Sequence, residues 1–158
     1  MFDIEVEMMA SQQILAVVQS DLQLISSLRG FLEANNYPAT MARNSQEAIL
    51  YLRGVGIYAN RYRYPQPSVI ILDSLNPGGA DLEVLAWVRN NPQFADMPVL
   101  ILCAERHSAS HVTCMLDPNS FVVDRGNFSD LLDALRLIDR REQTIPTPKF
   151  ISSFALRG

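Results

Sequence analysis

Five short apolar runs, alternating with stretches of helical period, constrain this chain more than any other feature of its sequence. Residues 14–18 form the first run. Behind it Leu24, Ile25, Leu28, Phe31 and Leu32 recur three and four apart, with Asp21 placed to cap the helix start and Asn35-Asn36 to end it. Ala39–Ala42 is a weaker second run. Asn44, with Glu47 three residues on, then makes a capping-box-like start for a helix carrying Ala48, Ile49 and Leu52. Residues 69–72, bounded by Ser68 and Asp73, read as a strand buried on both faces, and Leu82, Leu85 and Val88 follow at helical spacing. Pro92 and Pro98 bracket the link to a fourth strand at residues 99–103. A short helix at 108–116, a fifth strand at 121–123 and a helix at 128–141 complete five units.

Such alternation predicts an α/β fold with a parallel sheet covered on both faces, because right-handed crossovers place the helices there. Sheets of this kind present ligands at the carboxyl ends of their strands. The positions to inspect are therefore Gln19, Ser20, Asp21, Asp73, Cys103 and Asp124. One domain over residues 13–141 is expected, with an extension at 1–12 and a tail at 142–158 that lacks helical period. The one long loop, 54–67, holds Tyr58, Tyr62, Tyr64, Arg61 and Arg63.

The longest apolar run has six residues, 99–104, against the roughly 20 that a membrane-spanning helix requires, so no membrane association is expected. Met-Phe-Asp-Ile-Glu-Val-Glu at the start is acidic where a secretory signal would be basic, which points to a cytoplasmic protein. Cys103 and Cys114 define no disulfide framework. With 13 Lys and Arg against 17 Asp and Glu, the net charge of −4 argues against general binding to nucleic acid.

Val69-Ile-Ile-Leu-Asp73, Asn76-Pro77-Gly78, Pro98-Val-Leu-Ile-Leu-Cys103 and Asn119-Ser-Phe-Val-Val123 together resemble the receiver domain of bacterial two-component response regulators. Residues 48–53, Gly56-Ile-Tyr58 and the long loop are similar to a narrower group, the small single-domain regulators paired with bacterial phytochromes. The resemblance implies a doubly wound, flavodoxin-like sheet of order 2-1-3-4-5. It implies that Asp73 stands where the family accepts a phosphoryl group. Two acidic residues would hold magnesium after strand one, but Gln19 and Ser20 occupy those places. Cys103 replaces a hydroxyl residue, and Asp124 replaces the lysine that neutralises the phosphoryl group.

Phosphoryl transfer relies on cations placed against the equatorial oxygens. Asp73 and Asp124 without a compensating cation would repel each other by about 4 kcal/mol at 4 Å and an effective dielectric of 20. On that expectation Asp124→Lys stabilises the fold near neutral pH by ~1 kcal/mol. Asp21 reads as a helix cap rather than a magnesium ligand, and Asp73 as a carboxylate satisfied by backbone groups, Ser20 or Arg125. The resulting expectation is a pseudo-receiver: no enzyme and no cofactor, acting through protein contact without standard aspartyl phosphorylation. The alternative is an active phosphorelay regulator that uses Asp73 and magnesium.

The partner face expected from the resemblance is the fourth helix, fifth strand and fifth helix, with Phe121 at the switch aromatic position. A histidine kinase, a downstream regulator or a second copy would dock there. His107, His111 and Cys114 have a helical spacing that could serve zinc, but no fourth ligand lies nearby in sequence. The loop tyrosines are expected to fold onto the second helix or to contact another protein.

Overall fold

The computed structural model describes residues 12–19, 21–74, 83–103 and 118–144. Its strands are β1 (Ile14–Val17), β2 (Ala39–Ala42), β3 (Val69–Ser74), β4 (Val99–Cys103) and β5 (Ser120–Asp124). Its helices are α1 (Leu22–Ala34), α2 (Ser45–Arg53), α3 (Glu83–Arg89) and α4 (Phe128–Thr144), with a 3-10 turn at Gly56–Ala59. All four strand pairings are parallel, and the sheet order is β2-β1-β3-β4-β5. This is the doubly wound, flavodoxin-like arrangement expected from the alternation and the resemblance. The fourth helix expected at 108–116, with His107, His111 and Cys114, lies outside the described residues. So do Ser20, the Asn76-Pro77-Gly78 motif and the segments 1–11 and 145–158.

Local chemistry explains the element boundaries. Asp21 caps α1 by accepting the Leu24 N–H (3.0 Å), and Asn36, at φ 68°, turns the chain out after the helix. Asn44 caps α2 by accepting the Glu47 N–H (2.8 Å), while Glu47 Oε1 accepts the Arg43 N–H. That return bond reaches one residue further back than a standard capping box. Gly54 ends α2 at φ 68°, a left-handed conformation that favours glycine, with the Arg61 guanidinium 2.8 Å from where a Cβ would stand.

Two cores flank the sheet. Leu15, Val17, Ile70, Leu72 and Ile101 face α2 and α3 through Ala48, Leu52, Val84 and Val88. Ile14, Ala16, Ile71, Leu100 and Leu102 face α1 and α4 through Leu28, Leu32, Leu131, Leu135 and Ile138. The alternation of consecutive β-strand residues between these cores explains why β3 and β4 read as unbroken apolar runs. The two open ends of the parallel sheet are thereby left for the residues that follow each strand and those that precede it.

Candidate functional site

The carboxyl edge of the sheet carries one dominant feature, a guanidinium between two carboxylates. The Arg125 N–H donates to the Cys103 carbonyl (2.9 Å), so the β4–β5 ladder continues one residue past the end of β5. From that anchor the side chain reaches β3. Arg125 Nε donates to Asp73 Oδ1 (2.6 Å), and Nη2 donates to Asp73 Oδ2 (3.2 Å) and to Asp21 Oδ2 (2.8 Å). The Asp73 side chain is wholly buried, that of Arg125 is 21% exposed and that of Asp21 is 37% exposed. A two-pronged contact of this kind fixes orientation as well as charge.

Asp21 performs two tasks with its two oxygens: Oδ1 caps α1 and Oδ2 pairs with Arg125. The Leu24 N–H first, and the Arg125 hydrogen bond second, hold its carboxyl below the usual carboxylate range. A folded-state pKa below the unfolded one means that this contribution is present above the unfolded value and is lost as pH falls through the folded value. Arg125 is in turn held more firmly protonated by its hydrogen bonds to Asp73. An open groove of about 510 Å³ runs beside this cluster, lined by Asp21, Gln23, Ser27, Arg125 and Phe128 among others.

The other expected positions fall out differently. Gln19 is half-buried, and its carbonyl accepts the Asp21 N–H (2.6 Å). Cys103 is buried, and that burial pushes its thiol pKa up, which makes it a poor nucleophile. Phe121 is half-buried, with the Arg141 guanidinium 5.9 Å from its ring centroid. Tyr58 and Tyr64 do fold onto α2, stacking with Tyr51 at 5.0 and 6.0 Å, whereas Tyr62 is 97% exposed.

Asp124 requires a correction. It was expected to confront Asp73 across a pocket without a cation, but it is exposed and its Oδ1 accepts the Gly126 N–H (2.9 Å). The cation is supplied by its neighbour Arg125. The expected stabilisation by Asp124→Lys is therefore reversed: the variant loses the turn contact and should melt slightly below the parent, by about 0.5–1 kcal/mol. Thermal melts at pH 7 check this, and a higher melting temperature would show that Asp124 repels Asp73 after all.

Magnesium, which the resemblance implies, does not fit the residues present. Asp73 and Asp21 are the carboxylates available to it, and the same guanidinium holds both. A divalent cation would have to displace Arg125. Among the described residues, no group of three or more His, Cys, Asp and Glu side chains is arranged to hold a metal ion.

No protein-family model matches this chain, and no curated protein matches it either. Solved structures do. The fold is that of the receiver domain of response regulators. Within that class the similar structures include phytochrome response regulators. The bacteriophytochrome response regulator AtBRR is 29% identical over 79% of this chain and 90% of its own, with a TM-score of 0.65. RtBRR, another bacteriophytochrome response regulator, is 27% identical over 81% and 76%, also at 0.65. The phosphorylated cyanobacterial phytochrome response regulator RcpA is 24% identical over 87% and 97%, at 0.61.

Proposed function

We propose that this chain is a single-domain signalling protein of the pseudo-receiver kind, which acts by binding other proteins and not by standard phosphorylation of Asp73. The receiver fold and its phytochrome-regulator likeness support the signalling role. The observation that carries the finer reading is the Arg125 clip on Asp73 and Asp21. An acceptor carboxylate must be reached in line by the incoming phosphorus, yet the Asp73 side chain is wholly buried and Arg125 donates to both of its oxygens. The cation that should meet the phosphoryl oxygens is already committed to carboxylates. Arg125 thus supplies permanently, from within the chain, a positive charge that the family resemblance would place on lysine and magnesium.

The partners supported by the resemblance are a histidine kinase, a downstream regulator or a second copy, met through β5, α4 and the segment before β5. A cytoplasmic setting and a non-enzymatic role belong to the same proposal. Among the described residues no helix is long and apolar enough to cross a membrane. The alternative is a phosphorelay regulator that accepts phosphoryl groups on Asp73, as RcpA, a similar structure, was determined in a phosphorylated form. Incubation with acetyl phosphate or phosphoramidate and magnesium, followed by intact mass, separates the two. The expected result is no adduct on either the parent or Asp73→Asn. A stoichiometric adduct on the parent that Asp73→Asn abolishes would establish the alternative.

A further inference from the structure

The opposite, amino-terminal edge of the sheet holds a cleft of about 460 Å³ between the C-terminal ends of α2 and α3. Arg53, Arg61 and Gln66 line it from α2 and the loop behind it, and Trp87, Asn91 and Gln93 line it from α3 and the turn that follows. Among the described residues, no carboxylate lines it. Arg61 is fixed in place by donating to the Leu52 and Tyr64 carbonyls (3.0 and 3.1 Å) and by lying 5.5 Å from the Tyr51 ring centroid. None of those partners carries a charge that offsets its own. In sequence the region is as one-sided: between Glu47 and Asp73 there are three arginines and no acidic residue, in a chain whose net charge is −4.

The chain enters the sheet at this same edge. Gln12 is buried and accepts a hydrogen bond from the Ser68 hydroxyl, and the Ser68 N–H donates to the Gln13 carbonyl (2.8 Å). Ser68 is two residues from Gln66 of the cleft. Immediately upstream, residues 2–7 read Phe-Asp-Ile-Glu-Val-Glu, apolar and acidic by strict turns, with three carboxylates and no base. In an extended conformation that period of two puts the three acids on one face and Phe2, Ile4 and Val6 on the other. Ten extended residues span at most about 33–36 Å, ample to reach a cleft that begins beside Ser68.

We propose that the cleft is a docking site for an extended acidic segment, and that its occupant is residues 2–7 of the same chain. The acidic face meets Arg53 and Arg61, and the apolar face meets Trp87. This inference stands apart from the question of Asp73 phosphorylation, since the two sites lie at opposite ends of the strands. Trp87, half-buried, is the single tryptophan of the protein, so it reports on the cleft directly.

The test is acrylamide quenching of Trp87 in the full chain at low salt, for the parent, for the triple variant Asp3→Asn/Glu5→Gln/Glu7→Gln, and for Arg53→Glu. Acrylamide is neutral, so the charge changes do not bias the quencher. Both variants should raise the quenching constant about twofold, and 1 M salt should raise that of the parent toward the same value by screening the contact. Arg53 is exposed on the last turn of α2, and Arg53→Gln serves as a milder version if the reversal perturbs the helix. Quenching that is unchanged in the triple variant would overturn the proposal. Protection of Trp87 that disappears on dilution would overturn it too, since a second copy's segment would then be the occupant.

Discussion

Arg125→Ala is expected to lower the melting temperature by about 6–12 °C, the shift that roughly 3 kcal/mol produces in a chain of this size. The cause is the carboxylate left behind. Asp73 has a wholly buried side chain, and the hydrogen bonds found to its two oxygens come from Arg125. Removing one partner of a buried pair costs about 3–5 kcal/mol in general, and the partial exposure of Arg125 puts this case at the low end. Replacing both partners, as Asp73→Leu with Arg125→Met, should recover most of the loss, because no buried charge is left unpaired and the partly exposed Asp21 keeps its cap on α1. Circular dichroism melts of the parent, the single and the double variant provide the measurement. A single variant within 1 kcal/mol of the parent would mean that water reaches Asp73 and that the clip behaves as a surface pair.

Tyr37→Phe should be the second most damaging of these changes, at about 1–3 kcal/mol, and its effect should depend on alkaline pH. Tyr37 is buried just before β2, and its hydroxyl donates to Asp139 Oδ2 (2.7 Å) on α4, tying elements 102 residues apart. Among the described residues Asp139 Oδ1 is buried without a hydrogen-bond partner, so loss of the tyrosine hydroxyl leaves the carboxylate worse satisfied. Burial first, and the hydrogen bond to Asp139 second, raise the phenol pKa well above its ordinary value of 10.0. A raised folded pKa means that the contribution is fully present below pH 10 and is lost as pH climbs through the folded value. Chemical denaturation of parent and variant should therefore differ most from pH 7 to 9 and converge above pH 10. An equal gap at every pH would show that only the packing of the ring matters.

The fold was legible wherever burial forces the sequence to be uniform. β3 and β4 lie between two helical layers, so their apolar runs mark them without help from the resemblance. β5 is longer than its apolar core, since Ser120 and Asp124 join the ladder through backbone bonds that the side chains do not announce. α4 likewise continues to Thr144, three residues past the helix expected at 128–141. The site was legible as a set of strand ends and in one of its contacts, since Arg125 was among the partners expected for Asp73 and does pair with it. The resemblance puts Asp124 where the family has a lysine, whereas the side chain that reaches the acceptor position belongs to the next residue. The signal lay in the sequence as an arginine directly after the inverted charge, long enough to pass over the end of β4. What the sequence does not announce is the extra Arg125–Cys103 backbone bond that anchors it there.

The same clip also bears on how the molecule assembles. Arg125 joins residues 52 and 104 positions away, so it closes two long loops with one side chain. Loop closure of that span costs entropy before the contact returns anything, and the guanidinium can meet both carboxylates only after β5 has added to β4 and the ends of β1 and β3 are in line. A contact formed that late belongs to the descent from the folding barrier and not to the climb. Its weight then falls on the rate at which the sheet edge comes apart, which makes Arg125 a latch on the lifetime of the folded state more than a guide to reaching it.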